Sequence, residues 1–94
     1  MAAPSTKQVF LVVADSQADK VEERLTSLGV PMFKVTFNSW FVAYSGTASE
    51  ASEDFGMRSE NVVGTGVVVS VNNYGGRASP DMWEWLKLNW PANA

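Results

Sequence analysis

Hydrophobic and polar positions change their period several times along this chain, and each change marks an element. From Gln8 to Ala14 the run is apolar without a break (Val9, Phe10, Leu11, Val12, Val13). That is strand length, and the pattern is that of a strand buried on both faces. After Asp15 and Ser16 the period lengthens. Ala18, Val21, Leu25 and Leu28 recur at helical spacing, with Asp19, Lys20, Glu22, Glu23 and Arg24 on other faces. Asp15 or Ser16 is placed to cap the first turn, and Gly29, with Pro31 beyond it, to end the last.

Met32 to Ser45 alternates with period two and predicts a β-hairpin. A two-residue turn at Asn38–Ser39 would set Phe37 opposite Trp40. It would gather Phe33, Val35, Phe37, Trp40, Val42 and Tyr44 on one core face, with Phe41 and Ala43 on the other beside Thr36 and Ser45. Thr47 and Glu50 then have capping-box spacing, with Ala48, Ala51 and Phe55 pointing inward and Gly56 as a stop. Met57 to Thr65 has no assignable period. Gly66 to Asn72 reads as a strand with Val67, Val69 and Val71 on one face, and Asn73-Tyr74-Gly75-Gly76 as a turn. Ser79, Pro80 and Asp81 form a strong helix start. The helix expected over 80–90 carries Met82, Trp83, Trp85, Leu86, Leu88 and Trp90 over more than one stripe before Pro91. Residues 1–6 are small and polar and read as a flexible start.

The predicted order is β-α-β-β-α-β plus a short C-terminal helix. This is a ferredoxin-like α+β sandwich, with the first and third strands central in a four-stranded antiparallel sheet and two helices on one face. At 94 residues and 46% hydrophobic, the chain is expected to form one domain over 1–94 with a sufficient core. No apolar run reaches membrane-span length, and no charged segment precedes an apolar one as in a signal peptide, so no membrane association is expected.

The absence of Cys and His narrows the chemistry. Disulfides, Cys nucleophiles, Ser–His–Asp triads and zinc sites of ordinary composition are excluded. Lack of disulfides suits a cytoplasmic location. The net charge is −3, and the seven Lys and Arg residues are dispersed, which disfavours autonomous binding of RNA or DNA.

Three groups of residues carry candidate chemistry. Asp15 ends the first strand: its simplest role is helix capping, but two such carboxylates across a two-fold axis could hold Mg²⁺ through oxygen ligands. Tyr74 and Arg77, around Gly75-Gly76, offer a ring and a cation to a nucleotide base and phosphate, or else form a simple turn. Phe41, Trp83, Trp85 and Trp90 exceed what one helix face needs and point to a dimer or partner contact, most simply a two-fold homodimer. Gly64-Thr65-Gly66 lacks the Lys and the strand-to-helix context of a phosphate-binding loop.

With these elements placed, the chain resembles the SinR-like group of small proteins. These are similar to the small CRISPR-associated endoribonuclease family and to GhoS-type antitoxin ribonucleases. The resemblance covers nearly the whole chain through short motifs: Val9 to Asp15, Asn38-Ser39-Trp40-Phe41-Val42, Ala48 to Gly56, Val67 to Gly76, and Trp83-Glu84-Trp85-Leu86-Lys87. It implies a ferredoxin-like dimer and, in the active nucleases, a divalent metal at a strand-end Asp matching Asp15. The chain differs at Ala14, where an aromatic residue often stands. The reading is a cytoplasmic homodimeric binding or regulatory module without a cofactor or enzymatic activity. The alternative is a Mg²⁺-dependent endoribonuclease using paired Asp15 carboxylates.

Overall fold

The computed structural model describes residues 7–57 and 62–90. The expectation for residues 1–6 and the middle of the unassigned connection lie outside them. The element order is β1 (Lys7–Ala14), α1 (Ala18–Leu28), β2 (Met32–Thr36), β3 (Ser39–Ser45), α2 (Ala48–Asp54), β4 (Gly66–Ser70) and α3 (Pro80–Asn89). The strands form one antiparallel sheet in the order β2-β3-β1-β4, so β1 and β3 are central. β1 is the unbroken apolar run, and burial on both faces is what that pattern requires.

One face of the sheet holds the main core. Val12 and Ala14 from β1 and Trp40 and Val42 from β3 pack with Val21 and Leu25 of α1 and Ala51 and Phe55 of α2. Phe10 and Phe55 both meet the Tyr44 ring edge-on, which extends this core along the sheet. α1 stops at Gly29, whose φ of 72° lies in the left-handed region that a Cβ disfavours. α2 starts with the expected capping box: the Thr47 side chain accepts from the Glu50 N–H, and the Glu50 carboxylate accepts from the Thr47 N–H.

The other face is covered in part by α3. The Trp85 ring lies against Phe33 and Phe41, which sit directly opposite each other on β2 and β3. Leu86 is buried. Ser79 caps α3 by accepting from the Met82 N–H, and Pro80 occupies the first turn as expected.

The structure corrects the hairpin. Its turn falls at Phe37–Asn38, and β2 pairs with β3 as Met32↔Val42, Phe33↔Phe41 and Lys34↔Trp40, with a bulge between Lys34 and Thr36. Side chains alternate across a sheet, so this register turns Phe33 away from the Trp40 face and onto that of Phe41. Phe37, at the tip, is 78% exposed instead of lying in the core. Leu28, expected to face inward, is partly exposed at the end of α1.

Candidate functional site at the end of the first strand

β1 ends where its two neighbours begin. Asn38 immediately precedes β3, and Thr65 immediately precedes β4. A groove of about 450 Å³ opens there, lined by Val13, Ala14, Asp15, Asn38, Thr65, Gly66 and Val67.

Its walls are held by hydrogen bonds among its own polar groups. The Ala14 N–H donates to the Asn38 carbonyl at 2.8 Å, and the Asn38 side-chain amide donates to the Ala14 carbonyl at 3.0 Å. Across the groove, the Asp15 and Ser16 N–H groups donate to the Thr65 carbonyl at 2.6 and 3.2 Å. The Ser16 and Thr65 hydroxyls share a bond of 2.9 Å, and the Thr65 N–H donates to the Ser16 hydroxyl at 3.2 Å. These bonds pair the Asn38, Ser16 and Thr65 side chains and the facing backbone groups within the fold.

Two glycines make the approach of this connection possible. A Cβ at Gly64 would meet the Ser16 carbonyl at 2.7 Å and Val21 Cγ2 at 3.0 Å. A Cβ at Gly66 would run into the Val13 carbonyl oxygen and come within 2.9 Å of the Ala14 Cα. The Gly64-Thr65-Gly66 sequence therefore serves close backbone packing against the β1–α1 turn.

Asp15 does not cap α1, and neither does Ser16. The N-cap position is Gln17, in a left-handed conformation (φ 55°, ψ 44°), and no side chain caps the helix. Ser16 is engaged with Thr65, and Asp15 lies two residues before the cap, out of reach of the first-turn N–H groups. The Asp15 side chain is exposed on the groove and has no hydrogen bond or ion pair among the described residues. Among those residues, no group of three or more Asp and Glu side chains is placed to hold a metal within one chain. A metal at Asp15 would need ligands from a second copy or from substrate.

The other predicted site residues lie elsewhere. Tyr74 stacks on Trp83 with ring centroids 5.6 Å apart and meets Trp90 edge-on at 4.8 Å. These three rings form a small aromatic cluster between the segment 73–76, which has no hydrogen-bonded turn, and α3. Arg77 is exposed beside it in sequence. Phe41 and Trp85 pack on each other inside the chain. Trp83, Trp85, Trp90 and Phe41 all remain partly exposed. Asp15 is thus separated from the aromatic group by topology: it stands at a strand end, whereas the aromatic residues surround α3.

Sequence reasoning passed over Asn38, Thr65 and Gly66 as groove residues. Their signal was present in the predicted topology, because a central β1 flanked by antiparallel β3 and β4 puts the residues preceding those strands beside Asp15. No helix among the described residues is long and apolar enough to cross a membrane. No family model matches this sequence, and neither a curated protein nor a solved structure matches it significantly.

Proposed function

We propose that this chain is a small cytoplasmic homodimeric binding or regulatory module on a ferredoxin-like scaffold, with the groove at the end of β1 as its recognition site. The strand order β2-β3-β1-β4 and the crossovers through α1 and α2 support the scaffold reading. The observation that carries the functional reading is the character of the groove. Its polar walls are mutually bonded, Val13, Ala14 and Val67 give it an apolar lining, and one unpaired carboxylate, Asp15, stands on it. Such a surface recognises a cationic group attached to an apolar one by a single charge and by shape. The partner is then a basic, apolar side chain or a cationic small molecule.

A second reading has its own support. Asp15 is freed from capping and presented at the end of a central strand, as the resemblance to metal-dependent endoribonucleases implies. In that reading, Asp15 of two copies would hold Mg²⁺, which supplies an activated water and charge stabilisation at phosphate.

Asp15→Asn separates the two. It removes charge while keeping size, and stability should change by less than about 0.5 kcal/mol because the carboxylate makes no bond among the described residues. The binding reading expects purified wild type to leave RNA intact with Mg²⁺ present and to bind cationic apolar probes, with Asp15→Asn losing most of that binding. Cleavage that needs Mg²⁺, is stopped by EDTA and is lost in Asp15→Asn would establish the nuclease instead.

A further inference from the structure

The two edges of the sheet are built differently. β2, at one end, carries several features that keep an edge from pairing with another chain. Pro31 stands at its entrance, a bulge interrupts it between Lys34 and Thr36, and Lys34 places a charge there, bonded to Glu22 of α1 at 2.9 Å. β4, at the other end, carries none of these. From Val62 to Gly76 the sequence holds no charged residue and no proline, and β4 pairs with β1 without a bulge.

The free side of β4 can be read from its hydrogen bonds. The Val71 N–H donates to the Val9 carbonyl, so the amides and carbonyls of alternate residues Val67, Val69 and Val71 face β1. Those of Val68 and Ser70 face outward, where no partner is found among the described residues. On the face opposite the main core, Val67 and Val69 are 50% and 43% exposed.

We infer that β4 pairs edge to edge, antiparallel, with β4 of a second copy about a two-fold axis at Val69. The proposal rests on the homodimer reading above and assigns its interface. In this register Val68 of each copy exchanges both backbone bonds with Ser70 of the other. Val69 faces Val69 in the closer, non-hydrogen-bonded kind of pair, with Val67 opposite Val71 on either side. An uncharged edge can meet its own copy without setting like charges together. The guarded β2 edge stops the pairing from repeating, so the assembly closes at two chains.

Two opposite charges at one position test this on the full chain. Val69 points away from the main core and is partly exposed, so Val69→Lys and Val69→Glu should both fold, as far-UV circular dichroism would show. Sedimentation velocity is expected to find wild type dimeric at high micromolar concentration. Each variant alone, setting like charges face to face, should weaken dimerisation by about tenfold or more, and an equimolar mixture of the two should restore it. A wild-type dimer untouched by either charge would overturn β4 pairing but leave the homodimer reading standing. A mixture that stays monomeric would overturn the Val69 register. A wild-type monomer at high micromolar concentration would overturn both pairing and homodimer, and leave the edge to some other extended segment. Amide hydrogen exchange on wild type is the second measurement, independent of variant folding. Protection at Val68 and Ser70 should rise with protein concentration, whereas constant protection would mean that the chain covers its own edge and would end the proposal.

Discussion

Replacing Gly66 by alanine should destabilise the protein, although the usual effect of Gly→Ala in a strand is favourable. An alanine restricts the unfolded chain and is worth roughly 0.4–1 kcal/mol where the fold can accept it. At Gly66 the fold cannot. The added Cβ would press into the Val13 carbonyl oxygen and stand 2.9 Å from both the Ala14 Cα and Met57 Cε. The methionine end can swing aside. The β1 backbone cannot, because β1 is bonded to β3 on its other side along its whole length. β4 must therefore move outward, loosening the Ala14↔Gly66 and Val13↔Val67 pairs. Overpacking of this kind costs about 1–3 kcal/mol and a weakened ladder bond about 1 kcal/mol more, against the smaller entropic gain. The expected net loss is roughly 1–3 kcal/mol. Gly75→Ala is the control: nothing lies within 4 Å of its Cβ position and its φ is not positive, so stability should hold within about 0.5 kcal/mol. Urea unfolding followed by tryptophan fluorescence would read both variants, with an unchanged m-value as the check that the unfolded state is the same. If Gly66→Ala proved as stable as wild type, the close β1–β4 approach that shapes the groove would be wrong.

Two further predictions probe the main core and its alkaline limit. Leu25 is fully buried among β1, β3 and α2 side chains, so Leu25→Ala should cost about 2–5 kcal/mol in the same unfolding assay; a loss below about 0.5 kcal/mol would mean that α1 packs by another face. The Tyr44 hydroxyl donates to an Asp54 carboxylate oxygen, and burial, this bond and the nearby acidic charges push its pKa up to about 12. A raised pKa favours the protonated form in the folded state. The stability it contributes is therefore complete below about pH 10 and lost as pH rises from there towards about 12. Tyr44→Phe should flatten that part of the stability–pH curve, and an unchanged alkaline decline would refute the link.

The elements were legible in the sequence because each is written in local chemistry. The β1 run, the Thr47–Glu50 box and the Ser79-Pro80 start all act within a few residues, and the structure uses each as expected. The hairpin register was less legible. Phe33, Val35 and Phe37 alternate as well in one register as in another, and the bulge at Lys34 to Thr36 breaks the parity that would have chosen between them. Nor does periodicity say which sheet face α3 will meet. Of the tryptophans of α3, Trp85 is accounted for by the second face of the sheet, which presents Phe33 and Phe41 to it.

Asp15 illustrates why local rules fail at a site even when they locate it. Two short polar residues before an apolar helix are a good capping signal, and for an isolated helix they would cap. In the fold they are claimed by a competitor, Thr65, which binds the Ser16 hydroxyl and both backbone amides from a position 49 residues beyond Ser16. The competitor wins because β4 must begin beside the end of β1, and its glycines let the backbone come that close. α1 then starts with Gln17 in a left-handed conformation and no side-chain cap, a local cost of order 1 kcal/mol for each feature. That cost is offset by the hydrogen bonds that fix the groove. The carboxylate left over from the exchange is presented unpaired on the groove among the described residues, so the topology that spoils the cap also creates the candidate site.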